Sequence, residues 1–164
     1  DLGVGTGDLT LLLGRAAARV FAVDRDADRL ASLLARAATE SVHVVAVEAD
    51  FHDFALPEPA ALVTISLSLA AAERPAAVVA AAVRALAPGG RLWITELAPH
   101  DAGWVRDRLG HRRLGFSEDE LRGLLEDAGL LSIQVTRIPP PRRGPAFGTV
   151  IAIGTRPTVS RSAP

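Results

Sequence analysis

The sequence contains no cysteine, and this absence excludes several kinds of chemistry. A chain without thiols forms no disulfide, binds no metal through thiolates and offers no cysteine nucleophile. Lysine is also missing, so each of the 18 basic side chains is an arginine. The formal net charge is only −1, which gives no reason to expect that this domain binds nucleic acid or a membrane surface.

Long hydrophobic runs are missing as well. No apolar stretch is long enough to span a bilayer and no signal-peptide pattern is visible, so we predict a cytoplasmic location. The length of 164 residues suits one domain with a substantial core. We predict that this domain covers residues 1–155 and that a disordered tail, "RPTVSRSAP", covers residues 156–164.

The chain alternates patterns that are typical of strands and helices. The predicted strands cover 19–24, 42–50, 61–69, 91–97, 131–138 and 148–155, and the predicted helices cover 8–18, 26–40, 72–86 and 117–130. We expect Pro88-Gly89-Gly90 to end the third helix, and Ser117 with Glu120 to form a capping box at the start of the fourth. This alternation predicts an α/β fold with a mostly parallel sheet and helices on both faces.

The last two predicted strands break this alternation. The link between them, "PPPRRGPAF" at 139–147, is short and rich in proline, so it has no room for a crossover helix. Parallel neighbours need a connection of about a dozen residues or more, which usually forms such a helix. We therefore predict that the last strand runs antiparallel to its neighbours.

The chain opens on the glycine motif "DLGVGTGDLT". Turns of this kind usually join a strand to a helix at a nucleotide-binding crevice, and glycine lets a ligand approach the backbone closely. No strand precedes Asp1, so we expect that the N-terminus is truncated and that the chain begins at the last residue of a first strand. The dinucleotide fingerprint G-x-G-x-x-G would need glycine at Asp8 or Thr10, and neither residue fits. The motif therefore indicates a ligand without phosphate at this point, and the alternative is a glycine-rich turn that binds nothing.

Several segments carry a family resemblance. "DLGVGTG" resembles motif I of the class I S-adenosylmethionine-dependent methyltransferases, "FAVDRDADRL" resembles the second motif and "VEADFHDFALP" the third. "ALAPGGRLWITEL" is similar to the helix and strand that follow in this family. The resemblance implies a Rossmann-like methyltransferase fold with an antiparallel last strand. Residues 96–130 look closest to the methyltransferase domains behind arsenic-repressor-type winged-helix regulators, which implies a possible DNA-binding domain upstream of the fragment.

The resemblance also implies a cofactor, S-adenosylmethionine, and a site for each part of it. The loop from Gly3 through Gly5 to Gly7 would lie under the methionine part, and Asp1 would orient its ammonium group. Asp24 would accept both ribose hydroxyls, and such charge-assisted bonds contribute roughly 1.5–3 kcal/mol each. Asp50 would accept the adenine amino group. The other cofactor-binding residues that we predict are Arg25, Phe51 and Ser66, with Leu67 beside Ser66 in the same pocket.

Methyl transfer is an in-line displacement, so alignment supplies most of the catalysis and a base is needed only when the acceptor must lose a proton. His100, Asp101 and His111 are the candidates for that base, and we assign His43 and His52 to surface or strand positions. We expect a small-molecule acceptor, although its identity and the oligomeric state stay open. Arsenite is not expected as the acceptor, because it prefers thiolates and the chain has no cysteine.

Two alternatives to a methyltransferase stay open from the residues alone. The first is an NAD-dependent oxidoreductase, which the glycine spacing and the reversed last strand disfavour. The second is a methyltransferase-like module that senses the cofactor or another ligand for an attached regulator, without turnover. No cluster of metal-ligating residues is visible in the sequence, so neither alternative nor the methyltransferase interpretation includes a metal.

Overall fold

Helices and strands alternate along the chain in the computed structural model, which describes residues 1–142 and 147–158. The helices are α1 (Asp8–Gly14), α2 (Ala27–Thr39), α3 (Pro75–Ala85), α4 (Trp104–Leu109) and α5 (Glu118–Asp127). The strands are β1 (Val20–Asp24), β2 (Val44–Glu48), β3 (Ala60–Ser66), β4 (Leu86–Leu97), β5 (Leu131–Ile138) and β6 (Thr149–Thr155). A short 3₁₀ turn, Leu69–Ala71, follows β3.

Leu2 joins the two parts of the sheet. Strands β1 and β2 are parallel neighbours, and the other four strands lie in the order β3-β4-β6-β5. Leu2 forms parallel bridges to Val23 of β1 and to Ile65 of β3. Its N–H donates to the Thr64 carbonyl at 2.9 Å, and the N–H of Gly3 donates to the Val23 carbonyl at 2.8 Å. The glycine motif therefore leaves the middle of the sheet, as its interpretation as a strand-to-helix turn requires.

The direction of the last strand is as predicted. Strand β6 lies between β4 and β5 and is antiparallel to both, whereas β3 and β4 are parallel. The sheet is therefore mixed, with parallel strands at one side and the reversed strand β6 near the other edge. Together with the helices this arrangement confirms the predicted α/β fold with an antiparallel last strand.

Helices cover both faces of the sheet. Ala22 packs with Leu11 of α1 and Leu33 of α2, whereas the next residue, Val23, packs in the larger core that includes residues of α3 and α5. Successive residues of a strand point to opposite faces, so these two pairs of helices lie on opposite sides. The larger core contains Val78, Leu92, Ile94, Leu121, Leu125 and Val150.

Local signals set the starts of α2 and α5. Asp26 caps α2, because its side chain accepts the N–H groups of Asp28 and Arg29. The predicted capping box of α5 is confirmed: Ser117 accepts the N–H of Glu120, and the Glu120 carboxylate accepts the N–H of Ser117. Helix α4 has no counterpart among the predicted elements, and α1 ends at Gly14 instead of residue 18.

The third helix ends before Pro88-Gly89-Gly90, as predicted, but three residues earlier than the proline itself. Helix α3 ends at Ala85, before this tripeptide, and β4 already begins at Leu86. Proline disfavours helical backbone at the residue before it, so the chain is already extended when it reaches Pro88. The tripeptide itself lies in the irregular first part of β4, where Ala60 pairs with Leu86 but Leu62 pairs with Arg91.

Part of the predicted tail can be described. The N–H of Arg156, the first tail residue, donates to the Gly90 carbonyl at 2.8 Å, and its own carbonyl accepts the N–H of Gly89 at 3.0 Å. Residues 159–164 of the tail and residues 143–146 of the link before β6 lie outside the described residues. Among the described helices, none combines the length and apolar composition of a membrane span.

Candidate functional site

Most of the predicted cofactor-binding residues meet at one edge of the sheet. The glycine loop follows Leu2, Asp24 is the last residue of β1, and Ser66 is the last residue of β3. Asp50 follows the end of β2 by two residues. Because β1, Leu2 and β3 are parallel and β2 is parallel to β1, their carboxyl ends open on the same side. In open α/β sheets this is the side on which ligands bind.

The glycine loop has a backbone that few other residues adopt. Gly3, Gly5 and Gly7 have φ angles of +74°, +53° and +80°. A Cβ atom at Gly3 would lie 2.7 Å from the Ser68 Cβ, whereas a Cβ at Gly5 would meet nothing within 4 Å. Gly3 is therefore required by the packing of the protein itself, and Gly5 faces open space at which a ligand can approach the backbone.

Two threonines hold the Asp1 carboxylate. The Thr10 hydroxyl of α1 donates to Asp1 Oδ2 at 2.6 Å, and the Thr64 hydroxyl of β3 donates to Asp1 Oδ1 at 2.9 Å. Thr10 and Thr64 are buried, so their hydroxyl groups need a hydrogen-bond partner within the protein. The orientation of the carboxylate beside the glycine loop is consequently fixed, because each of its two oxygens accepts one threonine hydroxyl.

Asp24 is a buried acid at the end of β1. Only 5 % of its surface is exposed, and its Oδ1 accepts the N–H of Asp26 at 3.0 Å. This is the one hydrogen bond that the described residues give to the carboxylate, so Oδ2 has no donor from the protein there. A carboxylate oxygen without a protein donor is available to a ligand that supplies hydroxyl groups. Arg25, the next residue, is exposed.

Asp50 is held by His52. Asp50 Oδ1 accepts the N–H of His52 at 2.8 Å and lies 2.6 Å from Nδ1 of the His52 ring. These two donors, the backbone N–H first, lower the pKa of Asp50 below its ordinary value. The Phe51 ring is half-buried and stacks on the His52 ring, with their centroids 5.0 Å apart. His52, which the sequence placed at the surface, therefore takes part in this side of the site.

The turn after β3 contacts the glycine loop directly. Leu67 has a φ of +52°, and its N–H donates to the Thr95 carbonyl of β4 at 2.8 Å. The Ser68 hydroxyl donates to the Leu2 carbonyl at 2.9 Å. Ser66 is half-buried at the start of this turn, and Leu67 is exposed. Ser66 and Leu67 thus lie at the start of a turn whose next residue, Ser68, contacts the glycine loop.

Glu96 lies under the same turn, completely buried in β4. Its carboxylate accepts the N–H of Ala70 at 3.1 Å and the N–H of Leu97 at 3.3 Å. Burial raises the pKa of Glu96 to about 7. The Ala70 carbonyl in turn accepts the N–H groups of Arg112 and Arg113, at 2.9 and 3.2 Å. Glu96 thus holds a turn that connects the cofactor edge to the segment after His111.

The three candidates for a catalytic base differ in their surroundings. His100 Nδ1 accepts the N–H of Ala102 at 3.2 Å, so the ring proton of neutral His100 is on Nε2. His111 is 7 % exposed, and its Nδ1 has no hydrogen-bond partner among the described residues. Burial, followed by the nearby charge of His100, lowers the pKa of His111. Asp101 is exposed and makes no side-chain hydrogen bond within the described part of the chain.

A comparison with protein families identifies the chain. A family model described as a methyltransferase domain matches residues 1–90, which is more than half of the 164 residues. The chain belongs to this methyltransferase family. No curated protein sequence matches it.

Solved structures agree with the methyltransferase fold. The N-methyltransferase NodS from Bradyrhizobium japonicum WM9, in complex with S-adenosylhomocysteine, has a TM-score of 0.73 at 20 % identity, with 95 % of this chain and 76 % of that chain covered. A putative methyltransferase from Bacillus halodurans C-125 has a TM-score of 0.78 at 17 % identity, with 96 % and 91 % covered. Magnesium protoporphyrin IX methyltransferase from Synechocystis PCC 6803, with bound S-adenosylhomocysteine, has a TM-score of 0.72 at 20 % identity, with 95 % and 72 % covered.

The cofactor that the sequence resemblance implies for this methyltransferase is S-adenosylmethionine. The residues at the sheet edge fit the parts of that molecule. The Gly5 backbone is open, Oδ2 of Asp24 has no protein donor among the described residues, and Asp50 has an oxygen that His52 does not contact. These three features suit the methionine part, a hydroxylated ribose and an amino-substituted base, respectively.

Four residues that contact the candidate site were not found by the sequence analysis. Thr10, Thr64, His52 and Glu96 were not assigned to the site, although each contacts a residue or turn of it. Only Glu96 had a usable signal. It alternates with Leu92 and Ile94 on the buried face of β4, and an acid in such a position needs a hydrogen-bond donor.

Proposed function

We propose that this methyltransferase transfers the methyl group of S-adenosylmethionine to a small-molecule acceptor. The observation that carries the proposal is the row of acids beside the glycine loop. Asp24 and Asp50 follow the parallel neighbours β1 and β2, and Asp1 precedes Leu2, which bridges β1 and β3 and leads into a loop with positive φ angles. An ammonium group, two ribose hydroxyls and an adenine amino group offer donors to Asp1, Asp24 and Asp50, respectively.

Each residue of the proposed site has a task in positioning. Asp1, already fixed by Thr10 and Thr64, orients the ammonium group, and the glycine loop approaches the methionine part with its backbone. Asp24 accepts the ribose hydroxyls and Asp50 accepts the adenine amino group. We assign Arg25 to the ribose side and Phe51 and Ser66 to the walls of the pocket. The bound cofactor supplies an electrophilic methyl group, and alignment of the acceptor with it provides most of the rate.

His111 is the best of the three candidates for a general base. A base needs a free lone pair at neutral pH, and the lowered pKa of buried His111 keeps its ring neutral there. Nδ1 of His100 is already an acceptor, and its Nε2 is buried without a partner among the described residues, so the Nε2 N–H can donate only to an acceptor molecule that reaches into this position. Phe147 packs against His100 with ring centroids 4.6 Å apart, so an aromatic wall lies on this side. Asp101 is exposed and is the weakest candidate.

Calorimetry and a transfer assay together test the proposal. We expect S-adenosylhomocysteine to bind and NAD not to bind. Methyl-tritiated S-adenosylmethionine, incubated with pools of small amines, phenols and carboxylic acids, should label at least one pool above a control without protein. Binding of NAD without binding of S-adenosylhomocysteine would contradict the cofactor assignment. Binding of the cofactor without any transfer, including to proteins or nucleic acids, would favour a sensing module.

We also propose a cytoplasmic location and a likeness to regulator-linked methyltransferase domains. A cytoplasmic location rests on sequence composition alone. The likeness to regulator-linked methyltransferase domains rests on residues 96–130 alone. The match to a methyltransferase family does not favour the oxidoreductase alternative or the non-catalytic sensor.

A further inference from the structure

Asp50 and His52 are joined by two hydrogen bonds, which is more than neighbouring surface residues usually form. Both donors of His52, its backbone N–H and its ring Nδ1, reach the same oxygen, Oδ1 of Asp50. The side chain of Asp50 is 52 % exposed, yet that of His52 is only 16 % exposed. An exposed carboxylate normally samples several rotamers, whereas two donors on one oxygen keep this one in a single orientation.

The His52 ring is itself held from its other side. Nε2 accepts the N–H of Arg74, the residue before α3, at 3.4 Å, and the Phe51 ring stacks on the imidazole with an angle of 17° between the planes. An acceptor at Nε2 and a donor at Nδ1 define one neutral tautomer, with the proton on Nδ1. The ring therefore joins the loop after β2 to the start of α3 while it points a donor at Asp50.

We propose that His52 is a positioning residue for base recognition, which turns Asp50 so that the cofactor site selects an adenine amino group. The proposal rests on the proposed function, in which Asp50 accepts that group. With Oδ1 occupied by His52, Oδ2 is the oxygen left for a ligand. An amino group donates to this oxygen. A base with a carbonyl in place of the amino group would instead bring two acceptors together, which is unfavourable.

The selectivity can be measured with two ligands that differ at one position of the base. S-adenosylhomocysteine carries the amino group, and S-inosylhomocysteine carries a carbonyl oxygen there. For the parent protein we expect affinity for the adenine ligand to exceed that for the inosine ligand by roughly 10-fold or more, the scale of one hydrogen bond to a charged group. Calorimetry gives both dissociation constants.

Three variants of His52 separate its two contacts. Asn places an amide N–H near the position of Nδ1, and Gln reaches the position of Nε2, so His52→Asn retains the contact to Asp50 and His52→Gln retains the one to Arg74. We expect His52→Asn to retain most of the preference for adenine. His52→Gln and His52→Ala should lower it by roughly 5- to 10-fold, mainly through weaker binding of S-adenosylhomocysteine. His43→Ala, at an exposed histidine before β2, is the matched control.

Each outcome has a distinct meaning. An equal loss of affinity for both ligands in every variant, with lower thermal stability, would show that His52 only supports the loop and would overturn the inference. Unchanged selectivity in His52→Ala would overturn it too, while the cofactor site itself would stand. If the parent protein binds both ligands equally, Asp50 does not recognise the adenine amino group. A parent protein that binds neither ligand would contradict the proposed function as well.

Discussion

The carboxylate of Glu96 accepts the N–H of Ala70 at 3.1 Å, so a buried acid of β4 holds the turn that follows β3. That turn, residues 67–71, also contacts both sides of the site. Ser68 donates to the Leu2 carbonyl at its start, and the Ala70 carbonyl accepts the N–H of Arg112, the residue after His111. Glu96 therefore helps to hold the turn that lies between the glycine loop and the segment after His111.

We predict that Glu96 makes the stability of the protein depend on pH. Its folded pKa of about 7 lies above the ordinary value of 4.5, because burial disfavours the charge. The folded state therefore binds the proton more tightly, and stability present below about pH 4.5 is lost as the pH rises through about 7. A shift of this size corresponds to about 3 kcal/mol.

Glu96→Gln tests this prediction, because glutamine retains an acceptor for Ala70 without the charge. Urea unfolding from pH 5 to pH 8 should show a loss of stability with pH in the parent that is largely absent in the variant. Glu73→Gln, at an exposed acid, is the control and should follow the parent. Parallel curves for the parent and Glu96→Gln would show that Glu96 does not titrate in this range.

We predict that Asp24→Ala weakens cofactor binding strongly. The substitution removes the acceptor at the end of β1 and leaves the glycine loop unchanged. The loss of one or two charge-assisted hydrogen bonds should lower the affinity for S-adenosylhomocysteine by roughly 10- to 1000-fold in calorimetry. Asp28→Ala, at an exposed acid in the first turn of α2, should stay within about threefold of the parent. Equal affinities for the parent and Asp24→Ala would show that the ribose lies elsewhere.

We predict that alanine at Gly3 and at Gly5 has different consequences. Both positions have a positive φ, which costs a residue with a Cβ roughly 1–2 kcal/mol. Gly3→Ala adds a contact of 2.7 Å with Ser68, so its loss of thermal stability should exceed that of Gly5→Ala. At Gly5 the new methyl group enters the open space assigned to the methionine part, so Gly5→Ala should mainly lower affinity for S-adenosylhomocysteine. The reverse pattern would contradict our placement of the cofactor above Gly5.

We predict that His111→Ala separates catalysis from cofactor binding. With an acceptor found by the tritium screen that must lose a proton, turnover should fall about 100-fold or more, the usual contribution of a general base. Affinity for S-adenosylhomocysteine should stay within about threefold. The pKa of His111 is lowered from its ordinary 6.5, so the acidic limb of the parent's rate profile should lie below that pH. If His111→Ala turns over at the parent's rate, His111 is not the general base.

The sequence by itself determined the elements whose causes are local. The period of apolar residues predicted most helices and strands, the Ser117 and Glu120 pair predicted the start of α5, and the short link 139–147 predicted the direction of β6. The motif "DLGVGTG" predicted a turn at the carboxyl edge of the sheet. Each of these depends on residues close together in the chain, so backbone geometry and loop length suffice to predict it.

Only the tertiary structure decided which side chains work together. Glu96 contacts Ala70 across 26 positions and Thr64 contacts Asp1 across 63, and no local pattern joins such partners. The burial of His111 and its lowered pKa likewise arise from segments that meet only after folding. Hydrogen-bond partners and pKa values depend on which groups are brought out of water together, and the order of strands in the sheet determines that.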